Sequence, residues 1–241
     1  MKNYLFLLLV ILATSCQITE TINLNENGSG KIEIVQLRDE QSYMQLAGEN
    51  YSKEEKFQDT TYVFKDFITQ YSETFSKLTP TEKTVFRKFE KVKVHLKKSS
   101  IEKEFRTTIT QDFDKISDVP DLYKTEEYAS DLAHNYALSA EEHYYNISYT
   151  FDGNIFKRIV KITDSIELKK QQVKISEIKT RISNLKINQS LILNYHFPRK
   201  IKSVSNTNAI INEDKKSLKL QFIISDFLQN PGSTNLEVVL E

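Results

Sequence analysis

The sequence predicts an α+β fold in which a mainly antiparallel sheet of several hairpins packs against amphipathic helices. Two observations support this prediction. Short runs along the chain alternate apolar and polar residues, which is the period of half-buried strands. Between these runs, apolar residues recur at steps of three and four, which is the period of a helix packed on one face. Because strands and helices do not alternate one for one, antiparallel pairing is favoured.

The first hairpin is predicted close to the N-terminus. Ile18, Ile22 and Leu24 begin a strand, residues 25–30 (NENGSG) form a turn cluster, and residues 31–37 resume as a second strand. Asn and Gly between two alternating runs are a strong hairpin signal. Residues 38–56 are polar and mixed, and we interpret them as a short helix and a loop.

Two amphipathic helices are predicted next. The apolar residues of the first one are Phe64, Phe67, Ile68, Tyr71, Phe75 and Leu78. The second begins at Thr79, which is a suitable N-cap residue, with Pro80 at the first helical position and Glu82 closing a capping box. Phe86 and Phe89 lie on its apolar face. Aromatic stripes at helical spacing indicate core packing.

A second strand pair is predicted from residue 91 to residue 113. Val92, Val94 and Leu96 alternate with basic residues, and after the serines at 99–100 a second alternating run carries acidic residues. Lysines of one strand are therefore expected opposite glutamates of the next, on a solvated face. Residues 114–142 are interpreted as two short helices broken at Pro120.

The C-terminal part is predicted to contain a hairpin, a long helix and a group of strands. The hairpin runs from 145 to 162 around a turn at 152–154. Residues 164–187 have the clearest helical periodicity of the chain. We expect this helix to pack across a sheet, with a coiled-coil partner as the alternative. The remaining segment is interpreted as strands only: 191–197, 201–204, 217–224 and 236–240.

The N-terminal 15 residues predict a cleaved signal peptide. Lys2 supplies the positive charge, and residues 5–12 (LFLLLVIL) form an apolar run too short for a bilayer, which needs roughly 20 residues. Small residues then lead into Cys16, which is the only cysteine. The arrangement resembles the bacterial lipobox, although Ala13 replaces the usual large aliphatic residue. The resemblance implies cleavage before Cys16 and lipidation of Cys16. An ordinary secretory signal cleaved near Ser15 is the alternative.

Residues 16–241 are predicted to form a single α+β domain, because no repeat or low-complexity linker divides them. Disulfides cannot contribute, since no second cysteine exists. The 33 basic and 33 acidic residues balance, so we expect no nucleic-acid partner. There is no phosphate-binding glycine loop, dinucleotide fingerprint or nucleophile elbow, and we expect neither catalytic residues nor a cofactor.

One cluster contains metal-ligand residue types. It consists of Asp131, His134, Glu141, Glu142 and His143. Its spacing matches no established metal motif, and acidic surface helices produce such clusters by chance, so no metal site is predicted.

Several segments resemble uncharacterised Bacteroidota-type lipoproteins. These are residues 21–31 (TINLNENGSGK), 59–66 (DTTYVFKD), 78–82 (LTPTE) and 197–206 (FPRKIKSVSN). More distantly, the opening hairpin and the Pro-terminated strand resemble the LppM-like lipoprotein domain, a family associated with membrane lipids. The resemblance supplies no reaction and no functional residue beyond Cys16.

These observations predict a membrane-anchored exported lipoprotein without enzymatic activity. Lipidated Cys16 would hold it on a membrane of the cell envelope, with the outer membrane favoured by Gln17 in second place. We expect the domain to bind a lipid, another amphiphilic envelope ligand or the envelope surface itself. The alternative is a protein-interaction or structural subunit of an envelope complex, docking through the helix at 164–187.

Overall fold

The computed structural model describes residues 16–38, 57–99, 101–134, 143–182 and 189–241, together with Met44 and Glu49. These residues form twelve strands in two mostly antiparallel sheets and six α-helices, which confirms the predicted α+β class. The expected helix and loop at 38–56 lie almost wholly outside the described residues.

The elements are numbered in chain order. The strands are β1 (Cys16–Leu24), β2 (Gly30–Arg38), β3 (Gln58–Val63), β4 (Lys93–Ser99), β5 (Glu104–Phe113), β6 (Tyr145–Phe151), β7 (Ile155–Ile162), β8 (Ser190–His196), β9 (Ile201–Val204), β10 (Ile210–Ile211), β11 (Ser217–Ile223) and β12 (Leu236–Leu240). The helices are α1 (Phe64–Gln70), α2 (Ser72–Lys77), α3 (Pro80–Arg87), α4 (Thr125–His134), α5 (Ser165–Ile182) and α6 (Ile224–Gln229).

The larger sheet has eight strands in the order β10-β11-β8-β1-β2-β5-β4-β3, and the smaller one has the order β6-β7-β12-β9. The predicted hairpins β1–β2, β4–β5 and β6–β7 are all present. Strands β1 and β8 pair in parallel, whereas the other pairs are antiparallel. The sequence did not indicate two sheets. Strand β8 ends before Pro198, which has no N–H to continue a ladder, and β9 then joins the smaller sheet.

One face of the larger sheet carries the core. Alternate residues of its central strands are buried there, among them Ile22, Ile32 and Ile34. The smaller sheet covers β1 and β8, while the helices after β3 and β5 cover the other half. The opposite face carries the polar residues of the alternating pattern, such as Thr21 and Asn23, because successive side chains of a strand point to opposite faces of the sheet.

The helical layer is filled by aromatic rings. Phe86 and Phe89 each lie with ring centroids 5.0 Å from Tyr128 of α4, and Phe64 lies 5.5 Å from Phe89. The predicted capping box is present: the Thr79 hydroxyl accepts from the backbone N–H of Glu82, and the Thr79 N–H donates to the Glu82 carboxylate. These rings therefore belong to the core, as their spacing predicted.

Three details differ from the predictions. The helix expected through Leu78 breaks at Tyr71 into α1 and α2, because Tyr71 leaves the helical conformation with φ −104° and ψ 37°. The strand predicted at 217–224 ends at Ile223, and residues 224–229 form α6 in a segment for which only strands were predicted. Finally, the main packing partner of α5 is α6 and not a sheet, with Lys179 Nζ 2.7 Å from an Asp226 carboxylate oxygen. Residues 183–187 of the expected helix lie outside the described residues.

Candidate functional site

The first strand begins at the residue that carries the predicted lipid. The backbone of Cys16 is already in register with Arg38, and β1 lies between β2 and β8 in the interior of the larger sheet. No linker therefore separates Cys16 from the folded strand. Residues 1–15 and the side chain of Cys16 lie outside the described part of the chain, so cleavage and lipidation stay predictions.

Four residues after Cys16, the same strand contributes the centre of a buried polar cluster. Glu20 lies on the inner face of β1, and Arg158 of β7 meets it from the smaller sheet; both side chains are fully buried. We call this the Glu20–Arg158 cluster. Its members are Glu20, Tyr123, Tyr149, Arg158, Tyr195 and Thr234.

The carboxylate of Glu20 is saturated with donors. Its Oε1 accepts hydrogen bonds from the Tyr195 hydroxyl at 2.5 Å, the Tyr149 hydroxyl at 2.9 Å and Arg158 Nε at 3.3 Å. Its Oε2 accepts from the Tyr123 hydroxyl at 2.8 Å and from a terminal nitrogen of Arg158 at 3.3 Å. The pair is thus bidentate, the geometry that suits a guanidinium and a carboxylate.

The other end of Arg158 is held by the chain just before β12. Its second terminal nitrogen donates to the Thr234 hydroxyl at 2.6 Å and to the Thr234 carbonyl at 3.3 Å. Strands β1 and β8 of one sheet are therefore connected through Arg158 and Tyr149 to β7 and β6 of the other.

The electrostatics keep Glu20 ionised. Burial by itself raises the pKa of a carboxyl, but the charge of Arg158 and the hydrogen bonds from Tyr195, Arg158 and Tyr123 lower the pKa of Glu20 below its usual value. Burial and the negative charge of Glu20 raise the pKa of Tyr195 well above 10. The tyrosines of the cluster therefore stay protonated and keep donating.

This arrangement serves to hold the two sheets together. A carboxylate with five donors has no lone pair left for a substrate proton, and the members of the cluster are buried except Tyr123, which is half-buried. A group of this kind is unsuited to general-base or nucleophilic catalysis. The cluster therefore fixes how the smaller sheet sits on β1, the strand that starts at Cys16.

Sequence reasoning missed this cluster, although a signal existed. Glu20 has the same strand parity as Ile18 and Ile22, and Arg158 has the same parity as Phe156 and Val160. A charged residue in phase with the apolar face of a strand points to a buried partner, because an unpaired buried charge is costly. The partner itself lies 138 residues away and cannot be read from spacing.

Two concave surfaces stand out among the described residues, and both are shallow. One, of about 390 Å³, lies between the β1–β2 and β6–β7 turns and includes Gly28, Phe151 and Asp152. The other, of about 570 Å³, is lined by α5 only, including Val173 and Ser176. Neither is lined by the aromatic rings of the helical layer, which pack on one another.

The acidic and histidine cluster considered in the sequence is only partly described. Asp131 is buried in α4, the ring of His134 contacts the Ser130 carbonyl, and His143 Nε2 lies 3.8 Å from a Glu127 carboxylate oxygen. Glu141 and Glu142 lie outside the described residues. Within the described ranges, no group of three His, Cys, Asp or Glu residues is placed to hold a metal ion.

The described helices include none that is both long and apolar enough to cross a bilayer. No protein-family model matches the sequence, and no curated protein matches it. Among solved structures, the chain is distantly similar to the NMR structure of the folded domain of the LppM protein of Mycobacterium tuberculosis. The two share 9% identity, the match covers 95% of this chain and 91% of that chain, and the TM-score is 0.39.

Proposed function

We propose that this chain is an exported lipoprotein without enzymatic activity, anchored to a membrane of the cell envelope through acylated Cys16. The supporting observation is that β1 begins at Cys16 itself, in register with Arg38. An acylated cysteine at this position joins the lipid directly to an interior strand of the larger sheet. The domain then sits on the membrane surface without a flexible leash.

The domain's proposed role is to bind an amphiphilic component of that envelope, in first place the lipid surface itself. Rings of the helical layer such as Phe64, Phe86 and Tyr128 contact each other, so these rings do not line a cleft for a ligand. This packing agrees with binding at the outer surface of the domain. Several acyl chains on one cysteine give stable anchoring, since one chain alone binds only weakly.

The anchor is tested with Cys16→Ala in the full chain, with Gln17→Ala as the matched control. The unchanged protein and the control are expected in the membrane fraction, with a mass that lacks residues 1–15 and includes acyl chains. Cys16→Ala is expected to lose the acyl mass. If Cys16→Ala stays membrane-bound with the mass of the unchanged protein, the anchor proposal is wrong.

Lipid binding beyond the anchor is tested by native mass spectrometry of the purified acylated protein after incubation with a total lipid extract. A discrete additional lipid mass supports a lipid-binding module. The absence of any added mass argues against a bound lipid and favours contact with the membrane surface or with a protein.

The alternative function is a protein-interaction subunit that docks through α5. Ile166 and Val173 are seven residues apart on this helix, hence on one face, and their side chains are 68% and 61% exposed. Val173→Asp is expected to abolish chemical cross-links to a partner in intact cells and to leave the thermal stability unchanged. Unchanged cross-links would remove this alternative.

A further inference from the structure

The end of the larger sheet at which β1 starts is fixed by the strand register. We call this end the Cys16 rim. Gln17, next to Cys16, is level with these residues of the neighbouring strands: Leu37, Arg106, Lys97, Asp59, Ser190 and Ile223. All seven strands from β11 to β3 therefore begin or end at this rim.

Large apolar side chains are exposed along the Cys16 rim. Phe57, one residue before β3, is 65% exposed, Ile101 in the β4–β5 turn is 88% exposed, and Ile223 at the end of β11 is 55% exposed. Burial of such side chains is favourable, so several of them exposed at one rim indicate a site that a membrane or another molecule covers.

These three side chains lie on both sides of the predicted anchor. From β11 to β3 there are six steps between neighbouring strands, and at about 4.8 Å per step the rim spans roughly 29 Å. Strand β1, which carries Cys16, is two steps from β11. Ile223 is therefore on one side of Cys16, and Ile101 and Phe57 are on the other.

Basic residues stand at the same rim. The guanidinium of Arg38 lies 3.4 Å from the Phe105 ring centroid, with Lys98 Nζ 5.9 Å from it, and Lys103 occupies the β4–β5 turn. Three acidic residues at this rim have basic neighbours: Lys97 Nζ lies 2.9 Å from Glu102 and 2.7 Å from Glu104, Arg106 Nε lies 3.2 Å from Glu104, and His95 Nε2 lies 2.9 Å from Asp59. Basic groups beside apolar ones suit a surface of anionic lipid headgroups.

We propose that the Cys16 rim is the membrane-contacting surface of the domain, with Phe57, Ile101 and Ile223 inserted at the boundary between headgroups and acyl chains. This proposal rests on the proposed anchor, because acylated Cys16 places the rim at the bilayer. Contacts on both sides of Cys16 resist tilting, so the strands stand upright on the membrane. Amphipathic contacts of this type reach about 5–10 Å into the interface.

The test uses the acylated full-length protein in vesicles of phosphatidylethanolamine and phosphatidylglycerol. Because acylation uses the only native cysteine, Ile101→Cys and Phe57→Cys each introduce a single free thiol for an environment-sensitive fluorophore. The matched control is Ile210→Cys, which is 66% exposed on β10, pairs with Lys219, and lies away from the rim. All three positions are exposed, so the substitutions are compatible with the fold.

We expect the labels at 101 and 57 to show blue-shifted emission and several-fold weaker quenching by iodide than the label at 210. Equal quenching at 101 and 210 in an acylated, vesicle-bound protein would overturn the rim proposal and leave the anchor intact. Protection at 101 in native membranes but not in pure lipid vesicles would overturn it in favour of a protein partner. Intact-mass measurement on the same sample shows whether the protein is acylated. Absence of the acyl mass would refute both the anchor proposal and the rim proposal, whereas a failure of the rim proposal alone leaves the acyl mass in place.

Discussion

Glu20 and Arg158 form a bidentate ion pair across the two sheets, with both contacts at 3.3 Å and both side chains fully buried. The pair connects the strand that starts at Cys16 with the sheet that covers it. Burying two charges is costly. The cost is offset here by three tyrosine hydroxyls, which donate to the Glu20 carboxylate, and by Thr234, which accepts from the Arg158 guanidinium.

Arg158→Met is expected to destabilise the fold by about 3–5 kcal/mol, because it leaves the Glu20 carboxylate buried without a cation. The double variant Glu20→Gln, Arg158→Met removes both charges and is expected to be less destabilised than the sum of the single variants. Urea unfolding of the four proteins measures the coupling free energy. Additive effects would show that the two charges do not stabilise each other.

The pH dependence of stability is expected to have two limbs. Burial raises the pKa of Asp121 to about 6, against the backbone N–H groups of Ile147 and Tyr123 that lower it. Because the pKa of Asp121 is raised, its carboxyl keeps the proton to a higher pH in the folded state than in the unfolded state. The resulting contribution to the free energy of unfolding, about 3 kcal/mol for two pKa units, is present at low pH and is lost as the pH rises from 3.8 through 6.

Glu20 acts in the opposite direction. Its pKa is lowered in the folded state, so its stabilising effect is present above the ordinary value of 4.5 and lost as the pH falls below it. Together the two groups predict a maximum in the free energy of unfolding at about pH 4, between the ordinary carboxyl pKa values of 3.8 and 4.5. Urea titrations from acid to neutral pH measure the profile. Asp121→Asn is expected to flatten only the limb above the maximum, where stability falls as the pH rises. A profile unchanged by this variant would contradict the assignment of that limb to Asp121.

Gly30→Ala is expected to destabilise the first hairpin by about 1–3 kcal/mol through overpacking. A Cβ at Gly30 would lie 2.0 Å from the backbone oxygen of Asn23 and 2.8 Å from the Phe113 ring, so the backbone must shift. Gly232→Ala is the matched control, because its nearest atoms would be 3.7 Å away. Equal melting temperatures for the two variants would refute the close-approach explanation.

Thr79→Ala is expected to cost about 1 kcal/mol, since it removes the side-chain acceptor for the Glu82 N–H at the start of α3. Thr79→Ser retains that acceptor and is expected to stay near the stability of the unchanged protein. Thermal unfolding compares the three proteins. Equal losses for Ala and Ser would mean that the methyl group, and not the cap, is responsible.

The hairpins and the capping box could be predicted from the sequence because their determinants are local. The turn at residues 25–30, the alternation around it and the Thr79–Glu82 pair each lie within a few residues. The helix α6 could not, because it packs against α5, with Lys179 and Asp226 47 residues apart in the chain, and no local signal marked the break at Tyr71. Propensity is a weak guide where such packing decides.

For the candidate site, the sequence by itself determined one residue, the sole cysteine at the end of a short apolar run. Only the tertiary structure decided where that residue lies: at the start of an interior strand, in register with Arg38, with its neighbour Gln17 level with Leu37 and Ile223 on the Cys16 rim. It also decided the partners of Glu20, which come from β7, β6, β8 and the segment before α4. Side-chain alternation is a local property, whereas strand order and sheet-on-sheet contact are set by the burial of the whole core.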